Sequence, residues 1–164
     1  KPTAKGMVAE KRPFQGILYA GLIQTATGPK VIEFNARFGD PETQVVLARL
    51  ESPLSEIISS LLVKEQPTIA WNELASVGVV VAAEGYPNQY KTNLPLPEMS
   101  GETIYYAGVT RSEQALVSAG GRIFLAEATA STLEEARKKV YQTLDNYSFP
   151  GMYYRKDIGV KGLI

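Results

Sequence analysis

A mixed α/β fold, of the α+β kind with mostly antiparallel sheets, is predicted by three features of the chain. Two strand-like segments, at residues 16–23 and 31–38, flank the turn residues Ala26, Thr27, Gly28 and Pro29. An apolar stripe at helical spacing follows at Leu54, Ile57, Ile58, Leu61 and Leu62. Further strand-like stretches between residues 77 and 126 then precede a second helical stripe at 133–147. Strands joined by tight turns make antiparallel neighbours, and helices grouped after them supply cover for a sheet face.

Taken in order, residues 1–13 have little periodicity and carry Lys1, Lys5, Lys11 and Arg12, which reads as a solvated opening segment. The unbroken apolar run at 16–23 predicts a strand buried on both faces, paired through the 26–29 turn with the next strand. After Gly39, Asp40 and Pro41 are placed to be the N-cap and first position of a helix, with Val45, Val46, Leu47 and Leu50 set for burial. Ser52 and Pro53 repeat that start signal, and the stripe from Leu54 to Leu62 predicts one core-facing side. Residues 64–72 turn polar around Pro67, which puts a domain boundary at 66/67, with Trp71 packed at the seam.

The second part opens with a buried-strand pattern at 77–83. Residues 84–102 are rich in Pro, Asn and Gly and read as an ordered loop; loops of that length are usually functional, which draws attention to 86–92. Strands are expected at 103–109 and 115–117, then a tight turn at Gly120 and Gly121 into a strand at 122–126. Thr132 with Glu135 forms a capping box, followed by the stripe Leu133, Ala136, Val140, Leu144 and Tyr147. The closing FPGMYYRKDIG mixes aromatics with Arg155, Lys156 and Asp157 and has the composition of a docking tail, in which Asp157 can pair with either cation.

Polar chemistry concentrates at residues 30–44, KVIEFNARFGDPETQ. Side chains alternate along a strand, so Glu33, Asn35 and Arg37 share one face at a spacing of roughly 7 Å while Ile32, Phe34, Ala36 and Phe38 take the other. A carboxylate and an amide carbonyl are hard oxygen ligands of the kind magnesium takes, and a guanidinium beside them can neutralise charge on a transferred phosphoryl group. A helix N-terminus at Asp40 would add free amides beside them. By spacing alone, E-x-N-x-R is equally the polar face of a half-solvated strand. Arg122, directly after two glycines, is either an anion contact or an ordinary surface arginine.

Composition narrows the chemistry. Lys+Arg and Asp+Glu both number 17, so the net charge is zero, which argues against general binding of nucleic acid or of an anionic membrane. With no cysteine there is no disulfide framework or thiolate metal site, and with no histidine there is no Ser-His-Asp or Cys-His catalysis. No apolar run is long enough to span a bilayer, and residue 1 onward lacks a signal-peptide layout. Carboxylates, amides and cations are left to carry any chemistry.

The run VIEFNARFGDPETQVVL, with GILYAGL before it, resembles the metal-binding end of ATP-grasp ligases, and more narrowly the phosphoribosylamine–glycine ligase family. The similarity continues through KPTAKGM, SVGVVVAAEGYP, GGRIFLAEATAST and YRKDIG, so it covers essentially the whole chain in order. The resemblance implies the C-terminal half of an ATP-grasp lobe at 1–66 and a small mixed sheet and helix domain at 67–164. It implies a cytoplasmic, ATP-dependent carbon–nitrogen ligase of purine synthesis that joins glycine to 5-phosphoribosylamine through a glycyl phosphate, with Mg2+ or Mn2+. Carried over residue by residue, Glu33 and Asn35 would hold the metal, Arg37 would steady the transferring phosphoryl group, and Asp40, Glu42 and Arg122 would contact substrate. Tyr19 aligns where many ATP-grasp enzymes carry an acidic metal ligand. The family also has a region upstream of residue 1, with the lysine and glycine-rich loop expected to cover ATP, so the resemblance implies that this chain alone is inactive and partners that region. Two other readings are a different ATP-grasp ligase, such as a biotin carboxylase-like enzyme, against which GDPETQ and YRKDIG argue, and a non-catalytic fragment.

Overall fold

The computed structural model describes residues 2–99, 103–113 and 115–163. Lys1 of the basic opening and the last three residues of the 84–102 loop lie outside the described residues. The chain divides into two compact units, Lys1–Asp40 with Leu50–Trp71, and Pro41–Arg49 with Asn72–Ile164.

The first unit contains helix α1 (Pro2–Ala9), the hairpin β1 (Tyr19–Thr25) and β2 (Gly28–Asn35), and helix α3 (Leu54–Leu62). The hairpin forms as its turn chemistry dictates: Gly28 adopts φ +100°, and the Thr25 hydroxyl donates to Gly28 O at 2.6 Å. Its burial differs from expectation. Leu22, Ile23, Val31, Ile32 and Phe34 are exposed, because β1 and β2 form a sheet of two strands, which pairs their backbones without covering their faces. α3 likewise buries Ile57 but exposes Ile58 and Leu62. Its start also corrects the expectation, since Pro53 is the N-cap and Leu54 the first helical residue. The Ser52 hydroxyl instead accepts from Ala70 N at 2.8 Å, beside the isolated antiparallel bridge between Leu50 and Trp71. Trp71 is half exposed rather than packed.

The second unit is built on a four-stranded antiparallel sheet in the order β4 (Thr103–Tyr106), β7 (Arg122–Ala130), β3 (Ala75–Ala83), β8 (Met152–Tyr154). The apolar runs predicted at 77–83 and 122–126 are its two central strands, buried as expected. Helix α4 (Leu133–Asp145) brings Ala136, Val140 and Leu144 into one core with Val77, Val79, Val81, Ile123 and Phe124. Tyr141 joins that core, a residue outside the predicted stripe. The expected 103–109 strand breaks at Gly108, where a Cβ would come within 2.8 Å of Arg122 O; the chain turns there into a separate two-stranded ribbon, β5 (Val109–Arg111) and β6 (Leu116–Ser118). Helix α2 (Glu42–Leu47) packs at β3, its Val45 methyl occupying the space that a side chain on Gly78 would need. A short 3-10 turn, Val160–Gly162, ends the unit.

The capping box at α4 is present. Thr132 Oγ1 accepts from Glu135 N at 3.2 Å, and Glu135 in turn accepts from the Ser131 hydroxyl, which holds its carboxyl below the usual carboxylate range. Thr132→Ala removes that acceptor and is expected to lower stability by about 1 kcal/mol, read as a shifted urea midpoint with an unchanged slope.

Candidate functional site

The hairpin register brings the candidate ligands together. Glu33 pairs with Gly21 and Asn35 with Tyr19, and a bulge at Ile32 shifts the register beyond them, so that Leu22 faces Val31. Gly21 lacks a side chain where Glu33 crosses it: a Cβ there would meet Glu33 Cγ at 3.2 Å. Glu33 and Asn35 then point to one face as predicted, and Asn35 Nδ2 donates to Glu33 Oε1 at 2.8 Å. That bond does not use Glu33 Oε2 or Asn35 Oδ1, two hard oxygen atoms, on a strand where Glu33 is exposed and Asn35 half buried.

The other predicted residues are distributed differently. β2 ends at Asn35 and the chain bends at Ala36 and Arg37, so the pleat does not carry Arg37 onto the shared face. Its guanidinium donates to Phe38 O at 2.9 Å, across the bend. Asp40 is exposed and is not the N-cap of α2, because Pro41 takes that position with φ −100° and no side-chain cap. Glu42 stands in the first turn of α2, where a carboxylate complements the helix dipole. Arg122 opens β7 opposite Ala82, half buried, its carbonyl accepting from Gly108 N at 2.9 Å. Gly21 is the contributor that the reading of residue patterns passed over; a glycine inside an apolar strand was its signal.

The tail cations are exposed but paired within the chain. Arg155 pairs with Asp157 and Lys156 with Asp145, each at 2.6 Å, and Tyr154 also donates to Asp145 at 2.6 Å. Tyr141 donates to Arg155 O at 2.6 Å and accepts from Ile158 N at 3.2 Å, and Arg137 reaches Lys156 O and Ile158 O. The Arg155 guanidinium holds Asp157 below its ordinary 3.8, and the Lys156 ammonium, then the Tyr154 hydroxyl, does so for Asp145. Both carboxylates therefore contribute stability that is present above the unfolded pKa and lost as pH falls through the lower folded one. Carboxyl carbon titrations are expected to give midpoints below 3.8 for both residues, and Lys156→Ala should return Asp145 towards that value.

Residues 76–161 match the family model described as phosphoribosylglycinamide synthetase, C domain. The chain belongs to the phosphoribosylglycinamide synthetase family. Residues 1–43 match the ATP-grasp (A) domain model of the same synthetase, and that segment contains both Glu33 and Asn35. Among curated proteins, the chain is 51% identical to the phosphoribosylamine–glycine ligase of Halalkalibacterium halodurans over 99% of its own length and 39% of the relative's. The corresponding ligase of Lactococcus lactis is 50% identical over 99% of the chain and 40% of that protein. The crystal structure of the phosphoribosylamine–glycine ligase of Thermotoga maritima superposes with a TM-score of 0.83 at 30% identity, covering 93% of this chain and 39% of that one. The chain thus spans about two fifths of the length of these relatives.

Among the described residues, no three or more carboxylate, histidine or cysteine side chains gather as a metal cluster. Magnesium is usually held by one or two carboxylates together with waters and substrate phosphates, and the Glu33–Asn35 pair fits that minimal protein contribution, with Tyr19 opposite Asn35. No helix among the described residues is long and apolar enough to cross a membrane.

Proposed function

We propose that the chain is the C-terminal portion of a cytoplasmic ligase that uses ATP to join glycine to 5-phosphoribosylamine. The observation that carries this reading is the Glu33–Asn35 pair, bonded at 2.8 Å on one strand within the segment matched by the synthetase's ATP-grasp domain model. In this reading residues 1–66 end the ATP-grasp domain and residues 67–164 form the C-terminal domain.

In the proposed reaction an oxygen of the glycine carboxylate attacks the γ-phosphorus of ATP, the bond to the β-phosphate oxygen breaks, and ADP leaves. The amine nitrogen of phosphoribosylamine then attacks the glycyl carbonyl carbon, phosphate departs with the carbon–oxygen bond, and the nitrogen loses a proton. Glu33 Oε2 and Asn35 Oδ1 would hold Mg2+ or Mn2+, which supplies positive charge for the ATP phosphates. Arg37 is one bend away and steadies the negative charge of the transferring group, exchanging its bond to Phe38 O for the phosphoryl oxygens. Asp40, Glu42 and Arg122 orient the substrates. These roles are positioning and charge stabilisation, which a chain without histidine can perform.

A protein extended upstream to the length of the relatives is expected to sustain ADP release over many turnovers only when glycine and phosphoribosylamine are both present, while the 164-residue chain alone releases none. Sustained ADP release by the extended protein in the absence of glycine, or at an equal rate with and without phosphoribosylamine, would overturn the reading.

A further inference from the structure

β3 carries a glycine in its interior, Gly78, within the run ASVGVVVAA. A glycine packs nothing and weakens a strand, and its place there is where another element comes close. Its neighbours Val77 and Val79 enter the core with α4, so strand alternation puts Gly78 on the opposite face. Leu125 of β7, which pairs with Val80, lies on that same face. The element that comes close is α2: a Cβ on Gly78 would stand 2.7 Å from Val45 Cγ1 and 3.0 Å from Leu125 Cδ1.

α2 does not hold its place by itself. It has six residues, no side-chain cap at its start, and a buried Gln44 Oε1 without a hydrogen-bond partner among the described residues. Helices that short are marginal in water, so packing decides where this one lies. Two attachments set its direction. Just past its C-terminal end, Asn72 N donates to Arg49 O at 2.9 Å and Arg49 Nη2 donates to Asn72 O at 3.1 Å. In its middle, Val45 rests on Gly78. Glu42 lies in the first turn, beyond both, and three residues from Val45 it shares that side of the helix. At about 1.5 Å per residue, Val45 is roughly 6 Å from Arg49 along the axis and Glu42 roughly 10 Å, so a displacement at Val45 is nearly doubled at Glu42.

We propose that Gly78 is a positioning residue: its bare backbone seats Val45, and that seat sets where Glu42 meets substrate. The proposal rests on the ligase reading, in which Glu42 orients a substrate. Carbon atoms in contact stand about 3.5–4.0 Å apart, so a methyl group on Gly78 pushes Val45 off the strand by about 1 Å and Glu42 by almost twice that. A misplacement on the order of 1 Å is enough to cost about a hundredfold in rate.

The test is a double-mutant cycle of Gly78→Ala and Val45→Ala, with kinetics on the protein extended to the length of the relatives and backbone amide NMR on the 164-residue chain. Gly78→Ala is expected to lower kcat/KM for glycine or phosphoribosylamine about tenfold to a hundredfold, while the magnesium dependence, which Glu33 and Asn35 would set, stays unchanged. In the chain it should displace the amides of residues 41–47. The double variant, whose alanine methyl fills the space that the Val45 methyls vacate, should be about tenfold more active than Gly78→Ala. Val45→Ala introduces no clash and should lower kcat/KM severalfold at the same magnesium dependence; it decides the matter if Gly78→Ala does not fold, since full activity of Val45→Ala would then remove the proposal. A double variant no more active than Gly78→Ala overturns the positioning role, as does full activity of Gly78→Ala with amides 41–47 displaced. Unmoved amides 41–47 in a folded Gly78→Ala chain overturn the seat itself. Extended protein of unaltered sequence that shows no turnover removes the ligase reading and with it the substrate role of Glu42, an outcome distinct from loss of the seat, which the amides report alone.

Discussion

Glu33→Ala is expected to lower the ligase activity of the extended protein by about a hundredfold or more while leaving stability within about 0.5 kcal/mol. The side chain is exposed and is bonded to Asn35, so no core depends on it. In the proposed reading the substitution removes one of the two oxygen ligands that would hold the metal. Asn35→Ala should cost less, because the carboxylate remains and loses only its orienting bond. The measurement is steady-state ADP release across a magnesium titration, with circular dichroism to report folding. Full activity of Glu33→Ala at every metal concentration would remove this strand from the chemistry.

Phe124→Ala carries the largest expected effect on stability, a loss of about 3–5 kcal/mol. Its ring is 1% exposed on a central strand and lies 5.6 Å from the Phe149 ring, centroid to centroid. Truncation removes the transfer free energy of a full aromatic side chain, and β4, β3 and α4 around it are regular elements that collapse poorly into the space. Urea unfolding of the chain should show the midpoint fall steeply or the native baseline vanish at room temperature. A loss below about 1 kcal/mol would mean that the core around β7 relaxes freely.

The second unit was the more legible of the two, and the reason is physical. Unbroken apolar runs at β3 and β7 and a capped apolar stripe at α4 are local signals of burial, and here the same unit supplies the partner faces. The hairpin gave an equally strong run at 16–23, yet Leu22 and Ile23 are exposed, because a run of apolar side chains specifies a preference for cover and not what covers it. The Glu33–Asn35 pair was readable because strand alternation is strict. The same alternation placed Arg37 on that face, but the strand ends at Asn35 and bends at residues 36 and 37, and nothing in Ala36 or Arg37 marks the strand end. Both start signals containing proline were displaced by one position, since proline fixes its own φ but leaves open whether it lies inside or just outside the first turn. The Lys156–Asp145 and Tyr141–Arg155 contacts join residues far apart in sequence and leave no local trace.

Residues Pro41–Arg49 belong to the second unit, and the chain returns to the first for Leu50–Trp71. No single break in the polypeptide can therefore yield both units whole. A piece beginning at Asn72 would carry the entire four-stranded sheet and still lack Val45, leaving a hollow over the bare backbone of Gly78. Limited proteolysis or domain dissection of this chain has to respect an interleaved inheritance, in which the segment that links β2 to α3 is also a structural part of the sheet unit.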